Sequence, residues 1–442
     1  MNRNITKTAS LIAVGRMVSI FCGLATTVLI ARYLTADEFG YYSIIISTVL
    51  ILGIPAQVGL PEFMHRETAR ERARNFPNLR DKLRWAHRIT GYSTVAIFAI
   101  TAVVLCLQDT TNTIEWTVWL IAALLVPAQA LSAIRAGILR GAGFPVASQA
   151  PELYIRPIIF LLIVAALYFS KQQQGLLSVM SANVFAWLVA FAFGSYLLNL
   201  LVSKRLRKRD PDLPNADNIN QERTRWLLAL VTLGGIGGLR VISNNLDFVI
   251  LGWFSDMSTV GAYKIQALMA GYIGFFIQIS NVMLSKKVGT HIELKSTDQL
   301  QQTITYFANR VSILTLITFL GVILFGNSVI GILFGSEYLL PLPVLVILAI
   351  GHLVNSISGS VVLCLNMARM ERAVLKTLIV SVAINVVLNC ILIPTLGAYG
   401  AALATLASMT YWNIVLFFKV RSAIGITTLP FQIGLPNKAK AL

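Results

Sequence analysis

Runs of about 20 consecutive apolar residues recur along the whole chain, and this recurrence restricts the fold more than any motif. A helix needs a run of that length to cross a hydrocarbon core roughly 30 Å thick. Lipid offers backbone N–H and C=O groups no partner, so a crossing segment is a helix or a strand of a closed barrel. The runs lack the apolar and polar alternation of barrel strands, which leaves an all-α integral membrane fold. About twelve transmembrane segments are expected, at 9–34, 40–62, 89–108, 114–136, 146–169, 175–202, 226–252, 261–285, 304–326, 339–366, 373–394 and 398–419. With 56% hydrophobic and 12% charged residues and a mean hydropathy of +0.73, a water-soluble domain is excluded.

The net charge of +17 reads as topology, and nucleic acid is excluded as a partner by where the cations fall. One set of connectors holds Arg3, Lys7, the stretch 65–88, Arg135, Arg140, the stretch 204–225, Lys286, Lys287, Lys295, Arg369, Arg372 and the tail from Lys419. These carry 28 Lys and Arg, whereas the opposite connectors hold Lys171 alone. The positive-inside rule then puts both termini in the cytoplasm. The first run continues to Ile30 without a small-residue cleavage site, so it is expected to stay as a helix and not to act as a signal peptide. Cys22, Cys106, Cys364 and Cys390 all lie in apolar runs without CxxC spacing and read as small core residues.

Two basic connectors are long, 64–88 and 203–225, and each reads as a solvated topology determinant or as a contact for anionic lipid head groups. The second lies at mid-chain, and its Pro, Asp and Asn content suits a hinge. The expected division is an N-terminal six-helix lobe at 1–203, a cytoplasmic basic linker at 204–225, a C-terminal six-helix lobe at 226–419 and a cytoplasmic tail at 420–442. A weak internal repeat supports it: IARYLTADEFGYYSI from Ile30 aligns with ILGWFSDMSTVGAYKI from Ile250 with one inserted residue. Both are an apolar helix end, a polar turn, then Gly and a Tyr-containing helix start, as parallel six-helix repeats require.

Three stretches carry a resemblance to a known family: ARYLTADEFGYYSI from Ala31, VGLPEFMHRETAR from Val58, and residues 365–408 with Asn385, Asn389, Pro394, Gly397, Gly400 and Ala401. The chain resembles the polysaccharide transporter family, which includes O-antigen flippases, of the multidrug, oligosaccharidyl-lipid and polysaccharide exporter superfamily. The resemblance implies twelve helices in two lobes around a central cavity and alternating access. It also implies an undecaprenyl-pyrophosphate-linked oligosaccharide as cargo, moved from the cytoplasmic to the periplasmic leaflet of a bacterial inner membrane. The similar peptidoglycan-precursor flippases usually have fourteen helices, for which this chain lacks room. Expected partners are that lipid-linked glycan and membrane lipids, with other polysaccharide assembly proteins as further candidates.

A charge inside a membrane helix costs about 2.5–3.5 kcal/mol on insertion scales, so it faces a bundle interior or a wet cavity. Arg240, Ser243, Asn244 and Asp247 form an i, i+3, i+4, i+7 stripe on the seventh segment. Such a stripe either lines a cavity or is a buried Arg240–Asp247 network. Gln149, Glu152 and Arg156 share a face of the fifth segment, where Pro151 and Pro157 predict a kink and an i, i+4 ion pair between Glu152 and Arg156 is the alternative to a cavity role. Arg16 lies about two turns inside the first segment, whereas Arg32, Lys264, Arg310 and Lys376 lie closer to helix ends and are expected to snorkel.

A pyrophosphate needs compensating charge in a low-dielectric core, and guanidinium groups bind phosphate oxygens bidentately, which makes Arg16, Arg156 and Arg240 the expected pyrophosphate contacts. Asn244, His352, Asn355, Asn385 and Asn389 are the expected glycan contacts, the last four on stripes that equally suit interhelical hydrogen bonding. No GxxxxGK loop occurs, so no cofactor or built-in ATPase is expected; H⁺ or Na⁺ coupling would fall to Asp247 or Glu152. No paired carboxylates, nucleophile and base, or metal-ligand cluster appears, which disfavours an enzyme such as a glycan polymerase and leaves no catalytic or metal residue to name. An ion-coupled drug or small-molecule exporter of the same superfamily is the main alternative.

Overall fold

The computed structural model describes residues 2–54, 59–72, 79–107, 113–170, 175–206 and 219–432. Lys171, linker residues 207–218 and tail residues 433–442 lie outside them. The described residues are helical almost throughout and contain no strand. The chain divides into two compact units, Met1–Val241 and Ile242–Leu442.

Unit 1 contains α1 (Asn2–Tyr33), α2 (Ala36–Leu52), α3 (Leu60–Arg72), α4 (Leu79–Leu107), α5 (Thr113–Ala123), α6 (Leu125–Gly141), α7 (Pro145–Ala150), α8 (Arg156–Ser170) and α9 (Gly175–Leu206). The long α10 (Ile219–Phe254) begins in unit 1 and ends in unit 2. Unit 2 continues with α11 (Met257–Gly271), α12 (Phe275–Glu293), α13 (Thr297–Leu333), α14 (Leu342–Ile357), α15 (Val361–Met367), α16 (Glu371–Leu396) and α17 (Ala398–Ile424).

Among the described residues, nine helical stretches are long and apolar enough to cross a membrane. Three of the twelve expected segments, 40–62, 89–108 and 226–252, fall outside that set among the described residues. The segment at 40–62 is divided between α2 and α3, and those at 89–108 and 226–252 lie on α4 and α10, whose side chains are described only in part.

Local chemistry explains the interruptions. Pro151 lacks an N–H, and a π turn at Pro151–Ile155 joins α7 to α8, as expected where the i→i−4 ladder is broken. The tenth segment breaks between α14 and α15, where Gly359 takes a φ of +75°. The aligned repeats form matching hairpins, α1 to α2 across Leu34–Thr35 and α10 to α11 across Ser255–Asp256. Thr35 caps the first: its Oγ1 accepts from the Glu38 N–H at 3.3 Å, and its own N–H donates to Glu38 Oε2 at 3.0 Å.

The basic stretch 65–88 is not the solvated linker it resembles. It is helical to Arg72 and again from Leu79, and its charges pair across the α3–α4 hairpin. Lys82 Nζ donates to Glu67 at 2.6 Å and to Glu71 at 2.9 Å, with all three side chains nearly buried. Arg70 closes the cluster on Glu67 at 2.8 Å. Burial alone would lower the Lys82 pKa, but its hydrogen bonds to Glu67 and Glu71 outweigh it and hold the ammonium above its ordinary 10.5. Helix α6 packs against α3 by direct backbone approach: a Cβ at Gly137 would lie 2.2 Å from the Pro61 carbonyl oxygen, and one at Gly141 2.5 Å from that of His65. This is small-xxx-small packing.

Candidate functional site

Unit 1 gathers arginines around one acid. Arg135 on α6, counted from sequence among connector cations, is 3% exposed because α6 continues to Gly141 and carries it inside the helix bundle. One of its terminal nitrogens donates to the carbonyls of Ala190 (3.2 Å) and Phe191 (3.1 Å) on α9, and the other lies 3.7 Å from Glu152 Oε1. Its guanidinium passes over Gly194, where a Cβ would sit 2.0 Å away. The absence of a side chain at 194 is what admits it.

Glu152 therefore pairs with Arg135, and not with Arg156 as the i, i+4 alternative to a cavity role had it. Arg156 instead places its guanidinium 4.5 Å from the centre of the Trp187 ring. Glu152 sits in the field of three arginines, Arg135, Arg156 and Arg140, and Arg140 also lies 3.5 Å from Glu62. Arg16 is half-buried on α1 beside Gly15, over which Tyr154 of the π turn packs; the Tyr154 hydroxyl donates to the Leu11 carbonyl at 2.6 Å. The Nε of Arg16 and that of Arg156 have no hydrogen-bond partner among the described residues. Tyr42, next to Arg156, accepts from Asn183 at 3.3 Å.

Unit 2 builds a polar core around Asp247, which is 6% exposed. Its Oδ1 accepts from Asn389 Nδ2 at 2.8 Å, and its Oδ2 accepts from the hydroxyls of Tyr263 (3.4 Å) and Thr405. Asn389 also donates to Asn385 Oδ1 at 3.1 Å, Asn385 reaches Ser408 Oγ at 3.5 Å, and Ser381 donates to the Ser408 carbonyl at 2.9 Å. Asn385 and Asn389 are 0% exposed, so in this structure they face neighbouring helices and not open space. Asn355 accepts from Asn413 at 3.3 Å, and His352 is half-buried near Gly274.

The stripe on α10 is divided by its environment. Asp247 and Asn245 are buried while Arg240 and Asn244 are exposed. Arg240 and Asp247 stand seven residues apart, about 10 Å along the axis. Thr405, Tyr263 and Arg135 escaped the sequence reading. Tyr263 had a signal, since it aligns with Tyr42 in the repeat, whereas Thr405 and Arg135 had none. Among the described residues no group of three His, Cys, Asp or Glu could hold a metal ion.

Nine helical stretches among the described residues that are long and apolar enough to cross a membrane define a multi-pass membrane protein, and its fold is shared with solved members of the MOP superfamily. The structure resembles an inward-facing multidrug resistance MATE transporter with a TM-score of 0.70 at 15% identity, covering 94% of this chain and 98% of that one. It resembles the lipid II flippase MurJ with a TM-score of 0.60 at 15% identity, covering 92% and 87%. The chain belongs to the polysaccharide biosynthesis protein family, whose model matches residues 5–282. Two similar curated proteins come from Haloferax volcanii: a probable low-salt glycan biosynthesis flippase, Agl15, 27% identical over 43% of this chain, and a probable flippase, AglR, 28% identical over 42%. The matched stretch spans about two-fifths of each relative, 40% and 39%.

Proposed function

We propose that this protein is a flippase that moves a polyprenyl-pyrophosphate-linked oligosaccharide from the cytoplasmic leaflet to the opposite leaflet by alternating access. Undecaprenyl pyrophosphate is the proposed carrier in a bacterial inner membrane, with both chain termini cytoplasmic. The carrying observation is the excess of guanidinium over carboxylate in unit 1, where Glu152 lies in the field of three arginines and Arg156 keeps a free Nε. A pyrophosphate entering that field replaces the missing counter-charge, so its dehydration is offset by charge-assisted hydrogen bonds. Arg16, Arg156 and Arg240 are the proposed pyrophosphate contacts. Asn244, His352 and Asn355 are the proposed glycan contacts, with Asn385 and Asn389 reached after rearrangement of the unit 2 core.

Asp247 is the proposed coupling site for H⁺ or Na⁺, with Glu152 the second candidate. Its carboxylate and the hydroxyl oxygens of Tyr263 and Thr405 are oxygen donors of the hard type such an ion takes. The test is a strain lacking the protein, assayed for lipid-linked glycan trapped on the cytoplasmic leaflet. Wild-type protein should clear the trapped pool, and Arg156→Gln at equal abundance should not. An untrapped pool in the deletion strain would move the assignment to a small-molecule exporter.

A further inference from the structure

Helices α12 and α13 form a hairpin through residues 294–296, and along it opens a groove of about 530 Å³. Lys287 of α12 and Arg310 of α13 supply its cations, Tyr306 and Phe307 its rings, and Gln302 and Thr303 its polar rim. The Arg310 guanidinium lies 3.9 Å from the Tyr306 ring centre, and Lys287 Nζ lies 5.7 Å from that of Phe307. Among the described residues neither cation has a carboxylate partner, and the groove lining contains no acid. Asp298 at the start of α13 is twelve residues before Arg310, about 18 Å along the helix.

The sequence of α13 grades the groove by depth. TDQLQQT is polar, the run from Ile304 is apolar, and Arg310 lies six residues into it, about 9 Å along the axis. A cation held there on an aromatic face, facing outward and lacking a counter-ion, suits an anion that arrives with its own apolar tail. Lys286, Lys287 and Lys295 place this end on the basic side of the chain.

We infer that the α12–α13 groove is a binding site for a lipid whose phosphate head group carries net negative charge, with Lys287 and Arg310 holding the phosphate, Gln302 and Thr303 the polar head group, and Met283, Tyr306 and Phe307 the first methylenes of the chain. The phosphate has two available sources, an anionic phospholipid or a polyprenyl pyrophosphate, and both present the same chemistry to the groove.

The experiment measures lipid retention by native mass spectrometry of purified full-length protein in nanodiscs mixing phosphatidylglycerol and phosphatidylcholine. Wild-type protein should retain phosphatidylglycerol over phosphatidylcholine, and Lys287→Gln with Arg310→Gln should weaken this about twenty-five-fold, each cation contributing roughly fivefold. Lys286→Gln, an exposed neighbour outside the groove lining, should leave retention unchanged, and far-ultraviolet circular dichroism confirms the helices of every variant. Adding undecaprenyl pyrophosphate then identifies the source: displacement of phosphatidylglycerol assigns the groove to the polyprenyl lipid, and persistence assigns it to the phospholipid. Equal retention of both phospholipids, undiminished retention in the double variant, or full displacement by inorganic pyrophosphate alone would overturn the inference.

Discussion

Replacing Asp247 separates an ion-coupling role from a packing role, because the structure fixes what each substitution breaks. The carboxylate accepts from Asn389, Tyr263 and Thr405, donors on three other helices. Asp247→Leu orphans all three. Interhelical hydrogen bonds in membranes average about 0.6 kcal/mol, which puts the loss near 2 kcal/mol at least. An orphaned buried donor costs about 1–3 kcal/mol, which puts the upper end near 5 kcal/mol once non-additivity is allowed for. Asp247→Asn keeps one acceptor oxygen, and its amide donates to a hydroxyl that rotates to accept, so its cost is about 1 kcal/mol. It nonetheless removes the negative charge an ion requires. The expected outcome in proteoliposomes is therefore asymmetric: Asp247→Asn is folded but no longer responds to an imposed Na⁺ or pH gradient, while Asp247→Leu loses thermal stability. Gradient-stimulated transport at the wild-type rate in Asp247→Asn would refute the coupling role. Unchanged stability in Asp247→Leu would refute the hydrogen-bond network.

The remaining predictions concern unit 1. Lys82→Met leaves Glu67 and Glu71 buried without their shared cation, which costs about 3–5 kcal/mol and should loosen the α3–α4 hairpin to limited proteolysis at pH 7. Because the folded Lys82 pKa is raised, the wild-type bridge contributes fully below pH 10.5 and fades only as pH rises through the folded value, so proteolysis should be flat from neutrality to pH 10. Gly194→Ala drives a methyl into the Arg135 guanidinium, so transport should fall while helix content measured by circular dichroism holds. Gly137→Ala meets a backbone carbonyl that cannot move aside, so about 1–3 kcal/mol of stability should be lost in thermal unfolding.

Helices were legible in the sequence because lipid leaves the backbone no other choice, and the break in the fifth segment was legible because Pro151 lacks an N–H. The pairings were not. Glu152 and Arg156 have the spacing of an ion pair, but Arg156 lies over the Trp187 ring, and Arg135 reaches Glu152 from α6 across Gly194, which has no side chain to block it. Asp247 could be picked out as a deep acid, yet its partners Asn389 and Thr405 lie 142 and 158 residues away, where no local period reaches. The Lys82 cluster was read as a linker because charge density on a basic side resembles solvated loop, while the pairing that folds it is a property of two helices together.

The most direct test of the account follows a fluorescent polyprenyl-pyrophosphate glycan in reconstituted vesicles, using a membrane-impermeant quencher that reaches only the outer leaflet. Wild-type protein should make nearly all of the label quenchable, and Arg156→Gln, reconstituted at equal density, should leave the fraction seen in protein-free vesicles. A wild-type trace that matches protein-free vesicles, or an Arg156→Gln trace that matches wild type, would contradict it.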